Sequence, residues 1–175
     1  MQALQLNLAT VEEPIRNRVA ESGLIQLELS ELIEIECVEL DFTSMLYEGQ
    51  VVIEKAFRAA VNDIDASQYV GKGVGLTVSE DAIIPDWAWM VISAKLFDAA
   101  FVVIGGLNGA RDEALRSAIN NLDLSTYEDR RIIVRGCDET TGPEALLLFQ
   151  TRIQTVAKSI MFGEACSTVP VFKTK

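Results

Sequence analysis

Histidine is absent from all 175 residues. That removes the imidazole base of Ser-His-Asp and Cys-His hydrolysis, and with it the usual zinc and non-haem iron ligand sets. Cysteine is scarce: Cys37, Cys137 and Cys166 are widely spaced and form no CxxC pair. They make no disulfide framework and are expected as free thiols in a reducing compartment. The chain also lacks any run of about 18 uncharged apolar residues. Its most hydrophobic stretch, 82–97, is interrupted by Pro85, Asp86 and Lys95 and reads as a buried helix with the loop before it, not a membrane span. No basic segment precedes an apolar core near residue 1, so no secretory signal is expected. The expected compartment is the cytoplasm.

Positive charge is in short supply. Fifteen Lys and Arg stand against 26 Asp and Glu, a net charge of −11. The only close basic group, Arg130, Arg131 and Arg135, is surrounded by acids. Phosphate contacts supply most of the affinity of nucleic-acid binders, so no nucleic-acid partner is expected. The acidic balance instead keeps a chain that is 49% hydrophobic in solution, and that apolar content excludes wholesale disorder. A chain of this length defaults to one domain and can bury roughly 70% of its unfolded surface without a staple.

What is present reads as alternating helices and strands. A helix is expected over Val11–Ser22, then strands over Leu24–Leu29 and Ile35–Phe42, the second with a bulge where its alternation slips between Cys37 and Val38. The two are expected to form an N-terminal antiparallel pair. Beyond the turn Glu48-Gly49-Gln50 come a helix with Phe57 and Val61 on its stripe, strand 74–79, helix 86–97, strand 101–105 and a helix through Ala110, Leu115 and Leu122. Strand 132–135, a long helix from Glu144 to about Phe162 and a strand over Thr168–Phe172 complete the chain. Asn108 and the box Thr141-Gly142-Pro143-Glu144 are the expected helix caps, with Gly163 as the stop of the long helix.

Sliding the sequence by 58 positions lays 57–62 on 115–120 and 65–69 on 123–127. Two copies of an α-β-α-β unit are read from this, over 51–105 and 109–172. Short helical crossovers force parallel pairing. The expected fold is α/β: a single domain, 1–175, of three layers around one mostly parallel sheet, preceded by the 1–50 helix and strand pair. Residues used in both copies (Asp65 and Asp123, Ser67 and Ser125, Tyr69 and Tyr127) read as turn locks. Residues that differ between copies are the better candidates for function: Cys137, Trp87 and Trp89.

Ligands of open α/β sheets sit beyond the carboxyl ends of strands. There, Glu80-Asp81 and Asp138-Glu139 could hold a divalent cation if their strands were neighbours. Cys137 precedes a helix N-terminus, which favours a thiolate, while Asp138 and Glu139 oppose it. The long helix, rising about 27 Å, is expected to place Cys166 at the opposite end of the sheet from Cys137. Cys37 reads as a core residue. Gly105-Gly106-Leu107-Asn108-Gly109 could cradle an anion, although it is neither GxGxxG nor a P-loop. Trp87 and Trp89 point to different faces of their helix, so one is expected to pack inward and the other to line a pocket or an interface.

Two stretches resemble a known family. Ser79-Glu80-Asp81-Ala82-Ile83-Ile84-Pro85-Asp86-Trp87-Ala88-Trp89-Met90 is similar to S-A-D-A-I-V-P-x-W-A-Y-M. Lys158-Ser159-Ile160-Met161-Phe162-Gly163-Glu164-Ala165-Cys166-Ser167-Thr168-Val169-Pro170 is similar to K-S-I-M-Y-G-E-P-C-S-T-V-P. Both segments mark an uncharacterised bacterial family, domain of unknown function 2480, with which Asn17-Arg18-Val19-Ala20 and Gly136-Cys137 also agree. The resemblance spans nearly the whole chain. It implies no activity, cofactor or catalytic residue, but marks Asp81, Trp87, Cys137 and Cys166 as motif positions. The family pattern lacks the 105–109 glycines, and Ala165 replaces its usual Pro before Cys166.

Three functions are compatible with these observations. The first is a non-catalytic cytosolic binding or adaptor protein, acting as a homo-oligomer or on a protein partner through Trp87, Trp89 or the Cys166-Ser167 tail. The second is thiol-dependent handling of a metal or iron–sulfur cargo by Cys137 and Cys166, with Asp81 or Asp138. The third is an enzyme using Mg²⁺ held by carboxylates.

Overall fold

Among the described residues two sheets form where the sequence pattern predicts one. The computed structural model describes residues 23–135, 141–164 and 167–174; the expected helix over 11–22 lies outside them. The strands are β1 (Leu24–Glu28), β2 (Cys37–Asp41), β3 (Gly73–Thr77), β4 (Phe101–Ile104), β5 (Arg131–Arg135), β6 (Ser159–Glu164) and β7 (Ser167–Lys173). The helices are α1 (Glu54–Asn62), α2 (Asp86–Lys95), α3 (Gly106–Asn120) and α4 (Pro143–Ile153). One sheet has the order β2-β3-β4, all parallel. The other has the order β1-β5-β6-β7, parallel until β7 turns back on β6. The α/β class and the parallel pairing stand.

The expected N-terminal antiparallel pair does not form. β1 joins β5 and β2 joins β3, each in parallel. Between them lies a 3₁₀ turn, Leu29–Leu32, whose Leu29 is fully buried in the core of the four-stranded sheet. That anchor turns the chain away from a hairpin and sends it across to the other sheet. β2 pairs with β3 in unbroken register, Cys37 opposite Gly73 through Asp41 opposite Thr77, so no bulge separates Cys37 from Val38. The one antiparallel pair among the described strands is β6–β7.

The long C-terminal helix is also shorter than its pattern predicts. α4 ends at Ile153, and Ser159–Glu164 is a strand. Leu146, Phe149, Ile153, Val156 and Ile160 keep helical spacing across the break because both elements bury apolar residues on the same core. No Gly or Pro marks the turn over 154–156. Gly163 lies within β6 at a φ of 118°, against the Ser167 carbonyl oxygen, and stops no helix. The caps differ too. α3 begins at Gly106 with Gly105 as its cap, so Asn108 is already helical; α4 is capped by Gly142, with no side-chain capping bond from Thr141 or Glu144.

Two cores result. Leu40, Phe42, Phe57, Val61, Val74 and Ile92 bury between the three-stranded sheet and α1 and α2. Leu115, Ile119, Ile132, Val134, Phe149 and Ile153 bury between the four-stranded sheet and α3 and α4. α3 belongs to both, since its first turn also lies on β3. A Cβ on Gly75 would overlap the Gly106 carbonyl oxygen. Glycine is required there because the backbone of α3 takes the space of a side chain.

The turn locks form as the sequence predicts. The Asp65 carboxylate accepts bonds from the Ser67 N–H (3.1 Å) and hydroxyl (2.6 Å), and Asp123 accepts the same two from Ser125 (3.0 and 2.7 Å). Tyr127 is buried with its ring edge-on to Phe149 at 6.5 Å.

Candidate interaction site

Of the residues singled out in the sequence, the described ones lie on three separate elements: Asp81 in the turn after β3, Trp87 and Trp89 on α2, and Ser167 on β7. Asp81 is exposed. Its proposed partner, Asp138, lies outside the described residues, as do Cys137, Glu139 and Cys166. The cation site required the strands leading to Asp81 and Asp138 to be neighbours. They are β3 and β5, in different sheets, so that condition fails. Among the described residues no group of three or more His, Cys, Asp or Glu is placed to hold a metal. Ser167 opens β7, exposed, opposite Glu164.

The separation expected for Cys137 and Cys166 loses its premise. β5 and β6 are adjacent and parallel, and their carboxyl ends meet: Arg135 Nε lies 3.4 Å from Glu164 Oε1. The two strand ends that lead to the cysteines are therefore at the same end of one sheet. Cys37 is half-buried, its thiol facing the Ile35 carbonyl at 3.8 Å. Burial pushes that thiol up, and the Arg111 charge pulls weakly the other way.

The glycine loop after β4 is filled from within. The Leu107 N–H donates to Glu39 Oε2 at 2.9 Å. Glu39 stands on β2 opposite Gly75, so its side chain reaches the start of α3, where a carboxylate complements the helix dipole. A Cβ on Gly106, at a φ of 61°, would come within 2.7 Å of the same oxygen. The anion that this loop cradles is the protein's own.

Both tryptophans are half-buried against the core of the three-stranded sheet, and Trp89 also lines a concavity, as expected of one of the pair. Trp89 stands edge-on to Phe42 at 5.1 Å. Trp87 stands edge-on to Phe57 at 6.0 Å, with the Arg58 guanidinium 5.3 Å from its ring centre. The exposed apolar face of α2 is instead carried by Met90 and by Phe97 just past its end, 71% and 86% exposed, beside Ile104 of β4 at 62%. These three form the rim of a 490 Å³ concavity floored by Leu76, Trp89 and Val102.

β4 is the outermost strand of its sheet, and among the described residues nothing pairs with its free edge. Natural edge strands are blunted by charge or proline. The other three sheet edges obey this: β2 carries Glu39 and Asp41, β1 carries Glu28, and β7 carries Pro170 and Lys173. β4 reads Phe-Val-Val-Ile and carries neither. Sequence reasoning missed this face because the four residues look like any buried strand. The available signal was Phe97, an aromatic directly after Leu96 and so off the inward stripe of Ala88, Ile92 and Leu96.

A second concavity of 570 Å³ touches the same strand from the α3 side. It is lined by Val103 and Leu148 together with Asp112, Glu113, Arg116 and Glu144. Arg116 donates two bonds to Glu113, at 2.8 and 2.6 Å. Among the described residues Asp112 and Glu144 have no ion pair.

No curated protein matches the chain, and no solved structure does. The family model described as "Protein of unknown function (DUF2480)" matches residues 13–174, so it covers both sheets, the α2–β4 face and both cysteine-bearing segments, and the chain belongs to that family.

Proposed function

We propose that this protein is a non-catalytic binding module whose contact surface is the exposed face of α2 together with the free edge of β4. The observation that carries the reading is the sheet edge of β4, uncharged, proline-free and flanked by exposed Met90, Phe97 and Ile104. A partly open apolar patch next to unpaired backbone marks an interaction surface. A photo-crosslinking residue at position 97, with the same residue at exposed Lys55 as control, tests it in cells. Adducts from 97 alone are expected, and mass spectrometry of the adduct tells a second copy from another protein. Equal or absent adducts at both positions would remove the reading.

A second reading rests on the shared end of β5 and β6. Cys137 and Cys166 each follow a strand end by two residues, a reach of about 7 Å, and those ends are adjacent. This supports a thiol pair that handles a soft metal in a reducing cytoplasm. Metal analysis of the purified protein and of the Cys137→Ser, Cys166→Ser variant tests it; equal metal content discards it. The duplicated α-β-α-β unit is part of the same proposal. It is supported by the matching Asp-Ser turn locks and by β3 to β5 and β4 to β6 both starting 58 residues apart.

A further inference from the structure

We infer that the occupant of the β4 edge is an extended segment of another protein in which basic and apolar side chains alternate. This rests on the reading of the α2–β4 face as a binding surface and names the partner chemistry that fits it. An added strand pairs through its backbone with the free edge, and its side chains point alternately to the two faces of the sheet. The two faces of β4 differ in kind. On the α2 face the concavity under Met90, Phe97 and Ile104 has no charged residue in its lining. On the α3 face the concavity beside Val103 holds three carboxylates and one guanidinium.

That guanidinium is committed to Glu113. Asp112 and Glu144 remain as uncompensated negative charge beside the strand, partly offset for Glu144 by its place in the first turn of α4. Successive residues of an added strand therefore meet an apolar surface and an acidic one in turn. Lysine or arginine at alternate positions satisfies the second, with Val, Ile or Leu between.

A second copy of this chain fits less well. β4 itself contains no basic residue to offer the acidic concavity of a partner. Self-pairing about a two-fold axis would also bring the Asp112 and Glu144 carboxylates of both copies toward one junction, in chains that each carry −11. Like charges brought together in this way oppose association.

The test uses the full chain, isotope-labelled, and a synthetic acetylated and amidated hexapeptide of alternating Lys and Val. Backbone amide shifts are expected at 101–104 and along 90–97, saturating with peptide. The matched Glu/Val hexapeptide is expected to bind at least tenfold more weakly. A Lys/Val peptide N-methylated on the edge that faces β4 should not bind. Asp112→Asn and Glu144→Gln should each weaken the Lys/Val peptide about two- to fivefold, the range of exposed ion pairs, and flatten its salt dependence. Equal binding of the Glu/Val or N-methylated peptide, or shifts confined to another surface, overturns the inference. If the Lys/Val peptide fails while crosslinks from position 97 persist, the binding face stands and only its basic occupant falls. If position 97 gives no crosslinks either, both fall.

Discussion

Gly75 is the residue on which the joining of the two layers depends. It leaves space for the Gly106 carbonyl, and Glu39, its neighbour on β2, closes the start of α3 across that gap. Gly75→Ala puts a methyl group into backbone that cannot rotate aside, and should cost about 3 kcal/mol; urea unfolding of the variant measures this. The Asp-Ser turns act through charge. The Ser67 hydroxyl, then Gln68 and the Ser67 N–H, hold the Asp65 carboxyl below its usual range; Ser125 does the same for Asp123. A folded-state value below the unfolded one gives stability that is complete above the ordinary carboxylate range, about pH 4, and lost as pH falls through the depressed value. Asp65→Asn with Asp123→Asn should therefore make the acid limb of a stability–pH curve shallower and leave its pH dependence near neutrality unchanged. These turns were legible in the sequence because each is settled by three consecutive residues. Glu39 was not, since its partner Leu107 lies 68 residues away.

At the scale of elements, the strand and helix types were readable over most of the described chain from apolar spacing. Element ends were less so. α4 and β6 bury one continuous apolar set, and no Gly or Pro separates them. Phe149, 1% exposed, fixes α4 on the four-stranded sheet. Phe149→Ala should cost about 3–5 kcal/mol, read as a fall in the denaturation midpoint. The contrast lies on α2. Met90→Ser and Phe97→Ser remove side chains that the folded chain leaves in water, so each should change stability by less than about 0.5 kcal/mol, and Met90→Ser should abolish the crosslinks from position 97. A large stability loss would make these residues part of the core instead.

For the whole molecule, what the sequence could not disclose was which strands share a sheet. Alternation says that a strand is half-buried, not whose backbone it pairs with, and β1 and β2 each choose a partner far along the chain. The premise for separating Cys137 from Cys166 failed because a helix was read through what is a strand, Ser159–Glu164; the two cysteines themselves lie outside the described residues. Among the described residues no helix is long and apolar enough to cross a membrane. The net charge of −11 predicts that the isolated chain sediments as a monomer at low ionic strength, because long-range repulsion is then least screened. A dimer under those conditions, crosslinked through position 97, would give the β4 edge to a second copy.

Amide hydrogen exchange along β3 and β4 of the isolated protein reads that edge directly. β3, paired on both sides, should be protected at every interior amide. β4 should show protection at alternate residues only, with the amides of its free edge exchanging rapidly, as an unpaired strand requires. Uniform protection across Phe101–Ile104 would mean that the edge is already covered, and the proposed binding surface would not exist.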